Sequence, residues 1–395
     1  MWGVLCLLML LWGCNNSNES KGVDDCEVIS VGEAFENKSE VCLGEYVCTI
    51  DYIPLETAPE CMLLGEDYLQ LRAFDGRIYI YNRLQALQQL NTLPLYFNAD
   101  GSFVSTVGAI GNSYNEFLNI QGVFINEKTK ELIIADVNKF LFYTLDGEFK
   151  RVVDVISNCS KFVGFFCDEN SYVYLKKPSY YDDNGGKDFL IKVDSLGCVK
   201  SKVILNRSKE RITDIGGVAA NITYGSALFH SSGNLYLNLH NDTLYNVNYN
   251  DMSLTANFFF DFGKYTASEQ GRAMLFEQRN PFFVTSDFVV FTVLFSRFQN
   301  FEQKYRSSNF IYDRKKGTTR ALEYNDDYGY AGFTNDIDGG MLFYPKYMNE
   351  GKMYQLVDAI DFIEYAQKSN SQKMKEVAAT LTEESNPVMV VATLK

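Results

Sequence analysis

The side chains best suited to chemistry are aromatic and charged residues gathered in short polar stretches. Tyr180 and Tyr181 stand beside Asp182 and Asp183, Arg297 and Phe298 precede Tyr305 and Arg306, and Tyr328 and Tyr330 follow Asp326 and Asp327. An aromatic face offers a flat apolar surface and a neighbouring carboxylate or guanidinium offers directional hydrogen bonds, the two properties that a sugar ring or an extended peptide needs. Packing between strands would use the same tyrosines. The chain holds two histidines, His230 in the turn H-S-S-G-N and His240 after the next strand. A strand of about eight residues would hold them roughly 25 Å apart, too far to share a metal. His240 could serve alone as a general base, or simply end its strand.

Other chemistries find little support. No G-x-S-x-G, H-E-x-x-H or phosphate-binding glycine loop occurs, so the common nucleophile, zinc and nucleotide signatures are missing. The runs Asp182 to Asp188 and Asp336 to Gly340 carry the oxygens and glycines that calcium loops use, without the full spacing or the closing bidentate glutamate; they also read as plain turns. Nine cysteines include no C-x-x-C pair. Cys26, Cys42, Cys48 and Cys61 crowd the N-terminal part, where a disulfide could form, though spacing selects no pairing. A formal charge of −14 excludes a nucleic-acid partner, because phosphate binding needs a basic stripe.

The elements that must carry these loops repeat. From Ile120 the chain reads I-Q-G-V-F-I-N, E-L-I-I-A-D, F-L-F-Y-T-L and E-F-K-R-V-V, with the hairpin signal Asp146-Gly147 before the last strand. The preceding unit has the same phase, with Asp100-Gly101 as its final turn. Further units span Lys161 to Leu205, Ile222 to Phe262 and Phe282 to Tyr324, and a sixth begins at Gly332 with M-L-F-Y and K-M-Y-Q-L-V. Four strands per 40 to 60 residues, roughly, is the signature of a β-propeller. The fold expected is all-β: six blades of four antiparallel strands, with Y-V-C-T-I-D-Y-I-P-L and N-P-V-M-V-V-A-T-L-K completing the last blade and so removing an exposed edge. Residues 357–382 read as a short helical insertion that caps the ring, and Ala267 to Gln278 as a second helical candidate.

Strand order sends the first-to-second and third-to-fourth turns to one side and all other connections to the opposite side. That second side collects Asn112 to Glu116, Pro178 to Asp188, His240 to Thr243, Arg297 to Arg306, Asn325 to Tyr330 and Lys346 to Asn349. The ligand-binding candidates are therefore Tyr180, Tyr181, Asp182, His240, Arg297, Tyr305, Tyr328 and Tyr330.

The N-terminal run M-W-G-V-L-C-L-L-M-L-L-W-G-C is too short to cross a bilayer and suits the apolar region of a secretory signal. Its Leu-x-Gly-Cys ending resembles the bacterial lipoprotein signal, which implies cleavage before Cys14 and lipid on its sulfur. The expected division is a signal over 1–13, a tether and lead-in over 14–45 and the propeller over 46–395.

The whole chain resembles the six-bladed β-propeller lipoproteins of Gram-negative gut anaerobes, whose blades are similar to the NHL type. I-P-L-E-T from Ile53, the segment from Gly108 to Phe117, N-D-T-L-Y from Asn241 with F-D-F-G-K from Phe260, and the closing Asn386-Pro-Val388 with Leu394-Lys395 carry the resemblance. It implies an outer-membrane lipoprotein of the cell envelope, facing either the periplasm or the surface. The reading that follows is a binding module without cofactor for a glycan, peptide or envelope protein, held to the membrane by its lipid alone. The rival is a calcium-assisted lactonase or lyase at the mouth of the central channel.

Overall fold

The computed structural model describes residues 26–66, 69–82, 93–136, 138–155, 161–168, 171–177, 187–206, 208–213, 219–224, 226–239, 242–265, 272–275, 282–299 and 302–395, with backbone alone at 161–168, 177, 208–213, 219–224, 272–275, 295–299 and 302–306. The lead-in supplies β1 (Glu27–Ser30) and α1 (Val31–Glu36), followed by β2 (Val47–Pro54). Blade one is β3 (Leu69–Phe74), β4 (Arg77–Asn82), β5 (Leu95–Asn98) and β6 (Phe103–Thr106); blade two is β7 (Gly122–Asn126), β8 (Glu131–Ala135), β9 (Lys139–Thr144) and β10 (Phe149–Asp154). Blade three is β11 (Lys161–Asp168), β12 (Ser171–Lys177), β13 (Lys187–Asp194) and β14 (Val199–Asn206), followed by the separate hairpin β15 (Ser208–Thr213) and β16 (Ala219–Tyr224). Blade four is β17 (Ala227–Ser231), β18 (Asn234–Asn238), β19 (Thr243–Val247) and β20 (Leu254–Asp261). After β21 (Arg272–Leu275), blade five is β22 (Phe282–Val284), β23 (Phe288–Gln299), β24 (Glu302–Asp313) and β25 (Thr318–Ala321). The short hairpin β26 (Tyr324–Asn325) and β27 (Tyr330–Ala331) leads to blade six, where β28 (Tyr347–Asn349), β29 (Lys352–Val357) and β30 (Val388–Leu394) are closed on the outside by β2. Between β29 and β30 lie α2 (Ala359–Lys368) and α3 (Gln372–Ala378).

The innermost strands touch in the sequence β28, β3, β7, β11, β17, β22, which makes a six-bladed propeller. Its near-continuous apolar strands follow from the two-residue period of a β-strand, because each blade must bury both faces. In E-L-I-I-A, Leu132 and Ile134 enter the core shared with Tyr79 and Tyr81 of blade one. Ile133 and Ala135 enter the core shared with Tyr172 and Tyr174 of blade three. The same alternation in blade one sends Ile78 and Ile80 to Leu356 and Met389 of blade six, which closes the circle. At about 25 cal/mol per Å² of apolar surface removed from water, these inter-blade cores are the dominant favourable term in holding the ring.

The expected strand phase, the shared last blade and the helical insertion are all present. Four local readings are corrected. Residues 272–275 within the expected helix from Ala267 to Gln278 form β21, which pairs with the extended outer half of β23. Ile222 belongs to the β15–β16 hairpin and not to blade four. The M-L-F-Y run at Met341 to Tyr344 is a buried connection, held by the Phe333–Phe343 bridge. The lead-in is part of the fold: β1 adds to blade four in parallel with β20, Ser39 bridges Leu322 and Cys42 bridges Thr334. Cys42, Cys48, Cys61 and Cys198 are free thiols, so none of the first three joins the disulfide envisaged among Cys26, Cys42, Cys48 and Cys61.

The third-to-fourth-strand hairpins of blades one to three dock on the outer strand of the blade before them. A Cβ on Gly101, at φ +88°, would come within 2.3 Å of the Pro54 carbonyl oxygen at the end of β2; one on Gly197 would come equally close to the Asp154 oxygen at the end of β10. Gly76 has a similar φ of +72° but open space around it. Gly76→Ala should therefore cost about 1 kcal/mol from backbone strain alone, and Gly101→Ala at least about 2 kcal/mol because two blades must also part. Urea melts of the two variants check the difference, and equal losses would contradict it.

Candidate functional site

The two ends of the ring are built differently. At one end, near the axis, the first-to-second turns draw together: the Asp75 N–H donates to Glu350 at 2.8 Å, and Asn349 Nδ2 donates to the Ala73 carbonyl and to Glu127, both at 3.0 Å. Lys346 to Asn349 does not form a loop on the far side as expected, because β28 runs through the channel and delivers Asn349 to these turns. Antiparallel order sends the strand-two-to-three and blade-to-blade connections to the other end. There the chain places α2 and α3, the β15–β16 and β26–β27 hairpins, and the outer halves of β23 and β24.

The helical insertion and the connection into blade six lock one another. The Tyr328 ring meets the Tyr365 ring of α2 edge-on at 4.9 Å, and Tyr365 Oη donates to the Tyr328 carbonyl at 2.9 Å. Lys368 Nζ donates to the Asp327 carbonyl at 3.2 Å. Tyr330 donates its hydroxyl to the Leu342 carbonyl at 2.5 Å and accepts from Gln355 at 3.4 Å; burial holds its ionisation far above the ordinary tyrosine range. Underneath, Asp338 accepts from Tyr52 at 3.1 Å, Asn335 at 2.7 Å and Ser371 at 2.6 Å. The Gly44 N–H donates to Asp336 at 2.7 Å. In the run Asp336 to Gly340, the Asp336 and Asp338 oxygens thus accept protein hydrogen bonds, while residues 182–186 of the other run lie outside the described residues. Among the described residues, no three His, Cys, Asp or Glu side chains converge on a point that could hold a metal.

Beside this scaffold stands Glu66, in the connection from blade six to blade one. Its N–H donates to Asp358 Oδ1 at 2.9 Å, so the residue preceding α2 turns its carboxylate toward Glu66 and makes no side-chain cap. Glu66 Oε2 is buried without a hydrogen-bond partner. Burial first, then the charge of Asp358, push its pKa up to about 7, against the pull of Lys346. Glu66 thus titrates within the physiological range, within electrostatic reach of Tyr330, Tyr365 and the Asp358 carboxylate.

Of the expected site residues, Tyr328 and Tyr330 are brought together, 6.4 Å apart between ring centres, and are partly committed to holding α2. Arg297 and Tyr305 lie in strands, not in a loop: β23 and β24 pair as far as Gln299 with Glu302, and Arg297 and Tyr305 are in adjacent registers near that hairpin end. Tyr180, Tyr181, Asp182 and His240 lie outside the described residues. His230 belongs to β17 and not to a turn. Residue spacing missed Glu66, Asp358 and Tyr365, which no local pattern could join, since Glu66 and Asp358 meet across 292 positions.

No curated protein sequence matches the chain. Among solved structures, a Bacteroides fragilis NCTC 9343 protein that its name assigns to export aligns with a TM-score of 0.62 at 15% identity, over 94% of this chain and 99% of the other. At that identity the likeness shows the shared fold. The WD40 domain of Neurospora crassa Pan2 (TM-score 0.36, 7% identity, 71% and 73% coverage) and an endo-1,4-beta-xylanase of Bacteroides thetaiotaomicron VPI-5482 (0.33, 12%, 69% and 96%) are too distant to carry an argument. The family model described as "Domain of unknown function (DUF4934)" matches residues 26–393, from the strand that reinforces blade four to the strand that closes blade six, and the chain belongs to that family.

Proposed function

We propose that this protein is an exported binding module of the cell envelope, lipid-anchored at Cys14 to the outer membrane, that takes a glycan, peptide or partner protein on the end of the ring bearing the long connections. The observation that carries the reading is the asymmetry of the two ends: close turns drawn in at the axis on one, folded helices and hairpins on the other. Connections raised on a rigid scaffold are where recognition concentrates. Lipidation rests on the Leu11-Trp-Gly-Cys14 ending alone, and export on that ending and on the name of the Bacteroides neighbour; no helix among the described residues is long and apolar enough to cross a membrane. The blades' likeness to the NHL type belongs to the same reading, since a fold alone fixes no activity.

Glycan and peptide arrays test it. The paired variants Tyr180→Ala with Tyr181→Ala, and Arg297→Ala with Tyr305→Ala, should lose at least tenfold in array signal at an unchanged Tm, while Tyr330→Phe, losing a buried bond to Leu342, should cost about 1 kcal/mol of stability. Full array binding by both paired variants would refute the site. Cys14→Ser should release the protein from the membrane pellet, and retention there would refute the anchor.

A further inference from the structure

Arg72 lies in β3, the innermost strand of blade one. Along that strand Leu69, Leu71 and Ala73 enter the core shared with blade six, which leaves Gln70, Arg72 and Phe74 partly exposed. The Arg72 guanidinium spans two blades: Nε donates to the Val123 carbonyl of β7 at 2.9 Å, and Nη1 to the Leu71 carbonyl at 2.7 Å. Its Cζ stands 5.4 Å from the ring centre of Tyr347, on the innermost strand of blade six, and 5.7 Å from that of Tyr81. His230, exposed on the innermost strand of blade four, is near enough that desolvation by the surrounding protein first and the charge of Arg72 second push its pKa down to about 4. The cation therefore belongs to the channel.

A guanidinium has five N–H donors, of which two are engaged here. Every other arginine whose side chain is described faces a carboxylate: Arg77 with Asp146, Arg151 with Glu131, Arg314 with Glu27 and Arg320 with Glu45. Arg72 has none among the described residues, in a chain with a net charge of −14. A planar cation held between aromatic rings with an unused edge is preorganised for a carboxylate, which it can grip by two parallel hydrogen bonds.

We propose that the central channel binds one carboxylate group at Arg72, beside the rings of Tyr347 and Tyr81. A single cation matches a single negative charge; a phosphate dianion would need a second cation, and the charged side chain that Asn349 holds at the turn end of the channel, Glu127, is itself negative. The carboxylate can come from a uronic acid or from the C-terminus of a peptide. The site is distinct from the connections invoked above, so either assignment can fail without the other.

Calorimetric titration at pH 7 tests the proposal with D-galacturonate and acetyl-Ala-Ala, against D-galactose, acetyl-Ala-Ala-amide and inorganic phosphate. Saturable binding is expected for at least one carboxylate and for none of the three controls, and which carboxylate binds identifies its source. Arg72→Gln should weaken binding at least tenfold, and Arg72→Lys, which keeps the charge but loses the fork, by an intermediate factor. Tyr347→Leu leaves both hydrogen bonds of Arg72 in place and should weaken binding severalfold, which covers the case in which Arg72→Gln does not fold. A wild-type protein that binds no carboxylate, or binds the controls equally, overturns the proposal. So does unchanged affinity in the Lys and Leu variants.

Discussion

Replacing Arg151 with methionine is expected to lower the stability of the ring by about 3 kcal/mol at pH 7, the low end for stranding one partner of a buried ion pair. Glu131, at the start of β8, is 3% exposed. It accepts from both Nη nitrogens of Arg151, from Lys150 and from Thr129 at 3.0 Å. Arg151 also donates to Tyr172 of blade three at 3.1 Å and lies 3.9 Å from the Phe142 ring centre. Burial alone would raise the Glu131 pKa, but the bonds from Arg151, Lys150 and Thr129 outweigh it and hold the carboxyl down to about 2. Lys150 remains in the variant and Arg151 is itself 35% exposed along its side chain, which is why the low end applies. A depressed carboxyl stabilises the fold above its unfolded value and loses that contribution as pH falls through the folded value. The gap between wild type and Arg151→Met should therefore be full at pH 6 and close progressively below about pH 4. Urea melts across this range check it, and a loss below 1 kcal/mol at pH 7 would contradict the buried-pair account.

The opposite dependence is expected at Glu66. Its folded pKa of about 7 lies above the ordinary 4.5, so between those values the native protein keeps a proton that the unfolded chain has released, and stability falls as pH rises. The full shift would correspond to roughly 3 kcal/mol at about 1.4 kcal/mol per unit; because the residue is partly exposed, a loss of about 2 kcal/mol between pH 5 and pH 8 is expected. Glu66→Gln should remove this slope and leave the variant more stable than wild type at pH 8. Parallel pH curves for the two proteins would refute the assignment.

Much of the ring was legible because a blade is a local object. Four strands, close turns and a two-residue alternation lie within one stretch of chain, and Asp146-Gly147 marks its phase. The helices also showed, from the helical spacing of Val357, Ile360 and Ile363 and of Met374 and Val377, although α2 buries Ala359, Phe362 and Ala366 and leaves Ile360 exposed. What did not show depends on distant partners. The four residues of β1 carry no signal that they will pair with Phe258 to Asp261. Residues 272–275, rich in helix formers, became a strand because the unusually long β23 offered an edge. Met341 to Tyr344 reads as a strand for its apolarity, yet serves to bury Phe343 and to bring Tyr344 within 2.9 Å of Thr292.

The candidate site was less legible for the same reason. Tyr328 and Tyr330 stood out as aromatic loop residues, and their place on the connection into blade six follows from strand order. That Tyr365 and Gln355 would engage them required the helix to fold back over that connection. Arg72 occupies a polar position of an alternating strand that spacing alone does not single out, and only ring closure brings Tyr347 beside it.

The central claim is that recognition uses the end of the ring bearing the long connections. Amide hydrogen exchange of the full chain, with and without an array-identified ligand, measures it most directly. The account predicts ligand-induced protection among the connections 55–66, 178–188, 295–306, 322–346 and 358–387, with no change at the turns 75–76, 127–130 and 350–351. Protection confined to those turns would contradict it.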